Sequence, residues 1–572
     1  MSEPVIITNT ALCHDCYRCV RNCDVKAIRV MNGQAQVVQE LCILCGTCVR
    51  VCPQKAKGVR SARQIVVQAL REGRKVVASV APSIPAFFPL RSFAQVEEVL
   101  KSLGFHAAEE TAVGAHIVAQ AHREYMEQST DHWPVIASSC PVIVNLVEKY
   151  YPDLIGHLAP IVSPLIAHGR ILARKYGPEA FIVFIGPCIA KKMEIHDEAV
   201  AGVVQAAMTF QGLQEWMKEA DIDWPEAGER QGDPVLETAR LFPIEGGLIG
   251  TARMNTDILD KRMVIASGLR ACRDVLEDIR SGQIHASLAE LLACKGGCVN
   301  GPVMAGMEGG IYAAREKVIR FQSRCQPELP MPRENWPDVG RGYRDRMERI
   351  PEFSEEEIQK VLHRINKYTP DDELNCGACG YSSCREKALA TLRGMAEVTM
   401  CIPYMRRRSE SLRQVVMDAT PNAILIVDDD LMVQDMSPSA ETLFRKTMSE
   451  VKGTHLSCLI SVLDDFIHVR DTGEPVIGKA RRLKEDLIGE QSIFRVEGQL
   501  LMVAIIRDVT EREQEREQFH VIRRETLERT REVLGKQMRV AHEIAHLLGE
   551  TTAETKATVT HLAKLLEGED RE

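Results

Sequence analysis

Residues 186–194 read GPCIAKKME, and the interpretation of the chain turns on them. Cys188 is followed at three and six residues by Lys191 and Glu194. On a surface helix, a lysine and a glutamate three apart form an ordinary solvated pair. Here they follow a cysteine, and two more cysteine-bearing segments accompany them. These are ASSCP at 137–141, with Cys140, and ELLACKGGCVNGP at 290–302, with Cys294 and Cys298. The whole sequence holds 19 cysteines in 572 residues, with 45% apolar and 26% charged residues. Its length asks for about three to five domains at roughly 100–200 residues each. No apolar run reaches the ~18 residues of a membrane span. The start, MSEPVIITNT, lacks a basic n-region and an apolar h-region. The chain is therefore expected to be soluble and cytoplasmic, where so many cysteines serve metals in preference to disulfides. A formal net charge of -9 argues against a nucleic-acid-binding protein.

Outward from this centre, toward the N-terminus, Cys13, Cys16, Cys19 and Cys23 are spaced C-x2-C-x2-C-x3-C. Cys42, Cys45, Cys48 and Cys52 repeat the spacing and precede Pro53. This is the two-cluster bacterial ferredoxin pattern. The tight loop wraps one face of a cubane with three thiolates, and the fourth cysteine reaches the other cluster. Cys13, Cys16, Cys19 and Cys52 are expected to hold one [4Fe-4S] cluster, and Cys42, Cys45, Cys48 and Cys23 the other. The first motif carries Asp24 where a proline is usual. Structural zinc is disfavoured, because it takes its ligands as two pairs. In the other direction, Cys376, Cys379 and Cys384 lie in NCGACGYSSC, and Cys401 follows before Ile402-Pro403. The glycines let backbone amides approach cluster sulfurs. Four thiolates with one distant member suit a further [4Fe-4S] cluster, with zinc as the alternative. The segment resembles the small iron–sulfur domain appended to several anaerobic redox proteins.

The three central segments resemble the signature loops of the [FeFe]-hydrogenase catalytic domain, which read TSCCP, MPCxxKxxE and ExMACxxGCxxGG. The resemblance runs from about residue 61 to 330. Pro187, Cys188, Lys191 and Glu194 all fall in place, and Ser163-Pro164 and VIASGL at 264–269 support it. It implies that Cys140, Cys188, Cys294 and Cys298 hold a cubane. Cys298 would also bridge to a two-iron unit bearing CO, cyanide and a dithiolate. Lys191 would donate a charge-assisted hydrogen bond to a cyanide, with Glu194 pairing with it or orienting it. Relatives resembling the eukaryotic Nar family keep the cubane but lack the two-iron unit, so a cyanide-binding lysine favours the full cluster.

The departures from that pattern are equally informative. Ser139 stands where the enzymes carry a proton-shuttling cysteine. A hydroxyl is a poorer match than a thiol to the pKa that proton transfer wants. Ser163 matches a serine of the same path. Counting from Gly104-Phe105, the acidic pair of that path falls on Ala121 and His122. Two pocket methionines become Gly186 and Leu292, and the third loop is short, ending GCVNGP. A site that keeps its cluster ligands and loses its fast proton path suits slow turnover and sensing.

Beyond the small iron–sulfur segment, Ala423–Val427 and Val433–Met436 read as strands separated by DDD, and SPSAETLF starts a helix capped by Ser437 or Ser439. Residues 491–513 read as two strands joined at Glu497-Gly498 and end in Asp508-Val509-Thr510. Residues 410–512 resemble a PAS domain, whose ligand the sequence leaves unknown. His455 and His468 are the only histidines there, and both read as solvated or packed side chains. Cys458, Cys272 and Cys325 read as structural. Leu527, Leu534, Met538, Ala541, Ala545, Leu548, Val559, Leu562 and Leu566 fit a heptad seam, broken near Gly549. His542-Glu543 resembles a histidine-kinase phosphoacceptor helix, but no ATP-binding segment follows it in the sequence.

The fold class is therefore multidomain, α+β and α/β. The expected parts are a two-cluster ferredoxin domain (1–60), an H-cluster domain (61–330), a linker with a small [4Fe-4S] domain (331–407), a PAS domain (408–512) and C-terminal signalling helices (513–572). The expected cofactors are four [4Fe-4S] clusters and the two-iron unit. H2 and protons are the expected small ligands. A redox protein, a downstream signalling protein and a second copy of the chain are the expected partners, with no nucleic acid or membrane. The reading is an H2 or redox sensor. The alternatives are an active [FeFe]-hydrogenase, or an iron–sulfur carrier without the two-iron unit.

Overall fold

The computed structural model describes residues 3–128, 133–226, 235–236, 238–257, 260–304, 309–323, 327–328, 331–496, 498–548 and 553–567. Cys325, Glu497 and the predicted break at 549–552 lie outside them. The chain divides into two compact units, Met1–Met405 and Arg406–Glu572.

The first unit opens with four short strands: β1 (Ile6–Thr8), β2 (Ile28–Met31), β3 (Gln34–Val37) and β4 (Lys57–Val59). β1 pairs antiparallel with β4, and β2 with β3. Each cysteine loop runs into a short helix, Arg18–Arg21 or Thr47–Val51. Next come β5 (Val76–Val80), β6 (Ala107–Glu110), β7 (Val135–Ile136), β8 (Phe181–Gly186), β9 (Ala206–Thr209), β10 (Val235–Leu236), β11 (Met263–Ser267), β12 (Leu288–Leu292) and β13 (Pro327–Glu328). VVASV in β5 and FIVFIG in β8 are buried at every position. Such continuously buried, largely apolar runs belong to strands covered on both faces, the condition of a parallel sheet. They form the middle of a four-stranded parallel sheet in the order β6-β5-β8-β9. A second parallel sheet has the order β11-β12-β7, and β10 pairs with β13.

The stretch 331–350, proline-rich and charged and so expected to be a linker, in fact packs along this unit. The Val162 amide donates to the Val339 carbonyl at 2.8 Å, Arg341 to Pro160 at 3.1 Å and Arg346 to Glu148 at 2.9 Å. The Tyr343 hydroxyl donates to the Ile161 carbonyl at 2.8 Å. The helices Glu355–His363 and Cys384–Leu392 follow and share a small apolar core that includes Ile358, Leu362, Ala388 and Cys401. A Ser354–Glu357 capping box starts the first of them.

The second unit contains β14 (Ala423–Asp428), β15 (Val433–Met436), β16 (Val476–Lys484), β17 (Leu487–Arg495) and β18 (Leu501–Asp508). They form an antiparallel sheet in the order β15-β14-β18-β17-β16. One face alternates into a core with Phe444, Leu456, Phe466 and Val469. The helix Pro438–Phe444 is capped by the Ser437 hydroxyl, which accepts from the Ala440 amide. The 39-residue helix Thr510–Leu548 follows, then Ala553–Glu567. Among the described residues no helix is long and apolar enough to cross a membrane.

Candidate metal centres

The three central loops all leave the carboxyl ends of parallel strands. Cys140 comes four residues after β7 and caps the helix Pro141–Tyr150, with Pro141 in its first turn. Cys188 lies two residues beyond β8, and Cys294 two beyond β12. Open parallel sheets place their ligands in the crevice at this end. Two glycines permit close approaches of the third loop, one to the Pro243–Ile244 segment and one to the Cys188 loop. A side chain on Gly297, whose φ is +95°, would collide with the Pro243 carbonyl. One on Gly301 would lie 2.7 Å from the Pro187 carbonyl.

The four thiols are electrostatic neighbours. Burial pushes Cys188 up to about 11, opposed by Lys191 and reinforced by Cys140. It pushes Cys298 up to about 12, with Cys188 and Cys140 adding to it. Cys294 is held well above the ordinary thiol range by burial first, then by Cys298, Cys188 and Cys140. Buried thiols that repel one another as thiolates call for positive charge, which iron supplies, and thiolate is the ligand form. The donor set therefore fits a [4Fe-4S] cluster. Among the described residues no three His, Cys, Asp or Glu side chains converge on a single-ion site. A cubane has no such requirement, because each thiolate takes a separate iron.

Lys191, Glu194 and Ser163 come together at this cage. The Lys191 ammonium donates to Ser163 Oγ at 3.0 Å and to Glu194 Oε2 at 3.1 Å. Arg341, which the sequence reading missed, donates to Glu194 Oε1 at 3.4 Å and to Asp197 Oδ2 at 3.1 Å. Its side chain is 5% exposed and that of Glu194 is 2% exposed, so this is an interior network. Arg341 was overlooked because RGYRDR resembles a solvated charge run. No local pattern announces that it returns to the site.

Ser139 is buried. Its neighbour Ser138 donates through its hydroxyl to the Ile161 carbonyl at 2.8 Å and through its amide to His122 Nε2 at 3.2 Å. His122 lies 2.7 Å from the Val118 carbonyl through Nδ1, which makes Nδ1 the protonated nitrogen. Complete burial pulls His122 down to about 4, so a neutral imidazole occupies this position behind the loop. Cys272, expected to be structural, is buried and lies 3.4 Å from the Leu292 carbonyl and 3.7 Å from that of Ala266.

In the N-terminal segment, Cys23 has Cys45 and Cys42 as charged neighbours, while Cys19 has Cys16 and Cys13. Burial pushes Cys23 up to about 12 and Cys42 up to about 11. Cys16 and Cys52 both approach Gln54 Oε1, at 3.7 and 3.9 Å. Cys48 groups with Cys42, Cys45 and Cys23. Cys45 in turn is a neighbour of Cys294. Gly46, at φ +73°, closes against Pro302 and Ile189 of the central loops. Lys149 donates to the carbonyls of Cys42 and Gln39, at 2.8 and 3.0 Å.

Cys376, Cys379, Cys384 and Cys401 line one cavity with Tyr381 and Lys387. Lys387 is 1% exposed. Burial lowers it to about 8, against the pull of Cys401, Cys379 and Cys384. A buried cation beside four thiols is the complement of an anionic cluster, so this cage also fits one. In the second unit, His455 and His468 are exposed and Cys458 is half-buried.

Residues 74–302 match the family model of the iron-only hydrogenase large subunit, C-terminal domain. Residues 12–57 match a 4Fe-4S dicluster domain, and 372–403 match a model of an Fe-S cluster segment. The chain thus carries a [FeFe]-hydrogenase-like H-cluster domain and a ferredoxin-type 4Fe-4S domain within a mixed α/β fold. It is 26% identical over 322 residues to the periplasmic [Fe] hydrogenase large subunit of Nitratidesulfovibrio vulgaris, covering 46% of this chain and 76% of that one. It is 25% identical over 307 residues to the cytosolic Fe-S cluster assembly factor NAR1 of Yarrowia lipolytica, covering 38% of this chain and 61% of that one. A solved apo [FeFe]-hydrogenase HydA1 from Chlamydomonas reinhardtii aligns over 49% of this chain and 99% of its own, at 18% identity and a TM-score of 0.38.

Proposed function

We propose that this protein is an H2 or redox sensor, in which a six-iron cluster in residues 61–330 is coupled to a PAS module at 408–512 and signalling helices at 513–572. Cys140, Cys188, Cys294 and Cys298 would hold the cubane, with Cys298 bridging to a two-iron unit. When bound, that unit supplies H2 binding and cleavage. The observation that carries the proposal is the Lys191 ammonium. It uses two of its three N–H groups on Ser163 and Glu194, which leaves one for an acceptor such as cyanide. Ser139 and neutral His122 supply no group that titrates near neutral pH at those positions, so proton delivery along that path is slow and a bound state persists long enough to be reported. The antiparallel sheet with its two most distant sequence neighbours beside each other, β14 and β18, supports the PAS reading. Electrons would come from a redox protein through the N-terminal clusters at 1–60. The output would pass to a separate signalling protein, with the protein acting as a dimer.

A second reading is an iron–sulfur carrier or assembly protein without the two-iron unit, favoured by the similarity to the NAR1 assembly factor. The test is infrared spectroscopy of anaerobic protein matured with a synthetic two-iron complex, under H2 and then argon. CO and cyanide bands that shift between the gases, with low hydrogen turnover, support the sensor. Rapid turnover makes it an enzyme, and the absence of bands leaves the second reading.

A further inference from the structure

We propose that the Tyr381 hydroxyl is the hydrogen-bond donor to the iron–sulfur cluster held by Cys376, Cys379, Cys384 and Cys401, and so sets that cluster's potential relative to its neighbours. The inference rests on that cage holding a cluster. Tyr381 is 3% exposed, and its hydroxyl is fully buried with no hydrogen-bond partner among the described residues. A buried hydroxyl without an acceptor is costly and calls for an explanation. Tyr381 lines the same cavity as the four cysteines and also the larger cavity bordered by Lys26 and Tyr150, and the sulfur of a cluster in the first cavity would supply the missing acceptor.

The position also faces a second cage. The charged neighbours of Tyr381 include both Cys379 and Cys23, so it stands where the downstream cluster meets the one expected on Cys23, Cys42, Cys45 and Cys48. The backbone is drawn tight at this junction. Gly380 has φ +98°, and a side chain there would lie 2.9 Å from Val20 Cγ1 and 3.0 Å from the Arg21 amide nitrogen. Arg21 donates to the Ala378 carbonyl at 3.1 Å. Lys26 sits 6.0 Å from the centroid of the Tyr381 ring. Because Cys45 borders Cys294, the cluster on the Cys23 side adjoins both the central site and the downstream one. A donor at Tyr381 stabilises the extra negative charge of the reduced downstream cluster and raises its potential.

The test is EPR-monitored redox titration of the full-length, cluster-loaded protein and its Tyr381→Phe variant. A variant with Cys376→Ala and Cys379→Ala identifies the downstream signal by subtraction. The expected result is a lower potential for that signal alone in Tyr381→Phe, with the other clusters unmoved. Protein made with 3-fluorotyrosine, a more acidic donor, provides the second measurement and should raise the same potential. It decides the matter if the Phe variant does not keep its cluster. A downstream potential unchanged by both treatments, or shifted together with all the others, overturns the inference. Protein with Cys376→Ala and Cys379→Ala that retains its full iron content overturns the cluster reading itself, and the inference with it.

Discussion

Glu194 lies between two cations, Lys191 from its own helical turn and Arg341 from a segment 147 positions away. A buried carboxylate deprived of one partner keeps its desolvation cost and loses part of the compensation. Arg341→Ala should therefore destabilise the protein by about 2–4 kcal/mol, measured by urea unfolding of anaerobic protein. Arg341→Lys should recover part of this, because it restores charge without the planar two-pronged geometry. In protein carrying a two-iron unit, the cyanide bands should shift in Arg341→Ala even under argon, through the freed Glu194 drawing Lys191 toward itself. His122 gives a pH signature at the same scale. Its pKa is about 4 in the folded protein and about 6.5 in an unfolded chain. The unfolded state binds the extra proton between those values, so stability rises with pH through that window and is flat above it. The difference is worth about 3 kcal/mol. His122→Gln should remove that share of the acid sensitivity in denaturation curves taken between pH 4 and 7. An unchanged slope would show that other groups govern it.

At the scale of elements, the readable parts of the sequence were those with local chemistry. The Ser437 cap, the strand Val433–Met436 and the strand beginning at Ala423 stand where turn residues and apolar runs put them. The strand Val476–Lys484 was missed because VIGKARRLK reads as a charged loop. It is an edge strand, largely exposed and with register shifts, and edge strands carry such charges to avoid pairing with other chains. The segment 338–346 was missed for a related reason. It is extended and irregular, so neither helical nor strand periodicity marks it, and its long-range hydrogen bonds alone define its place. The cysteine spacings were legible because ligand geometry repeats locally, whereas the Arg341 and Tyr381 contacts depend on packing between distant segments. The small iron–sulfur element tests this dependence. Gly380→Ala puts a side chain on a residue at φ +98° against Val20 and Arg21. It should cost more than about 1 kcal/mol, and the loosened junction should show as earlier tryptic cleavage around 350–380. Gly394→Ala, also at positive φ but with open space around its Cβ, controls for backbone strain alone and should leave the cleavage pattern unchanged.

At the scale of the whole molecule, the helix Thr510–Leu548 carries a stripe of apolar heptad positions that a single copy leaves at least partly uncovered. In this helix, Leu527 and Leu534 are half-buried and Met538 and Ala541 are exposed in the single copy, while Glu and Arg dominate the rest of its length. Isolated apolar side chains on a surface are unremarkable, but a 39-residue helix gains its stability from packing a face. The heptad positions Leu527, Leu534, Met538 and Ala541 supply such a face, and an identical helix in a second copy presents the same positions in register. Full-length protein should therefore run as a dimer in light scattering. Leu534→Glu combined with Met538→Glu places two charges at the seam of each copy and should shift the mass to that of a monomer. Iron content and visible absorption should stay unchanged, because both residues lie outside the Met1–Met405 unit that carries every proposed cluster ligand. A wild-type protein that is already monomeric would mean that the seam is matched to a different helix, that of the signalling partner, and a dimer that survives both glutamates would place the self-association elsewhere in the chain.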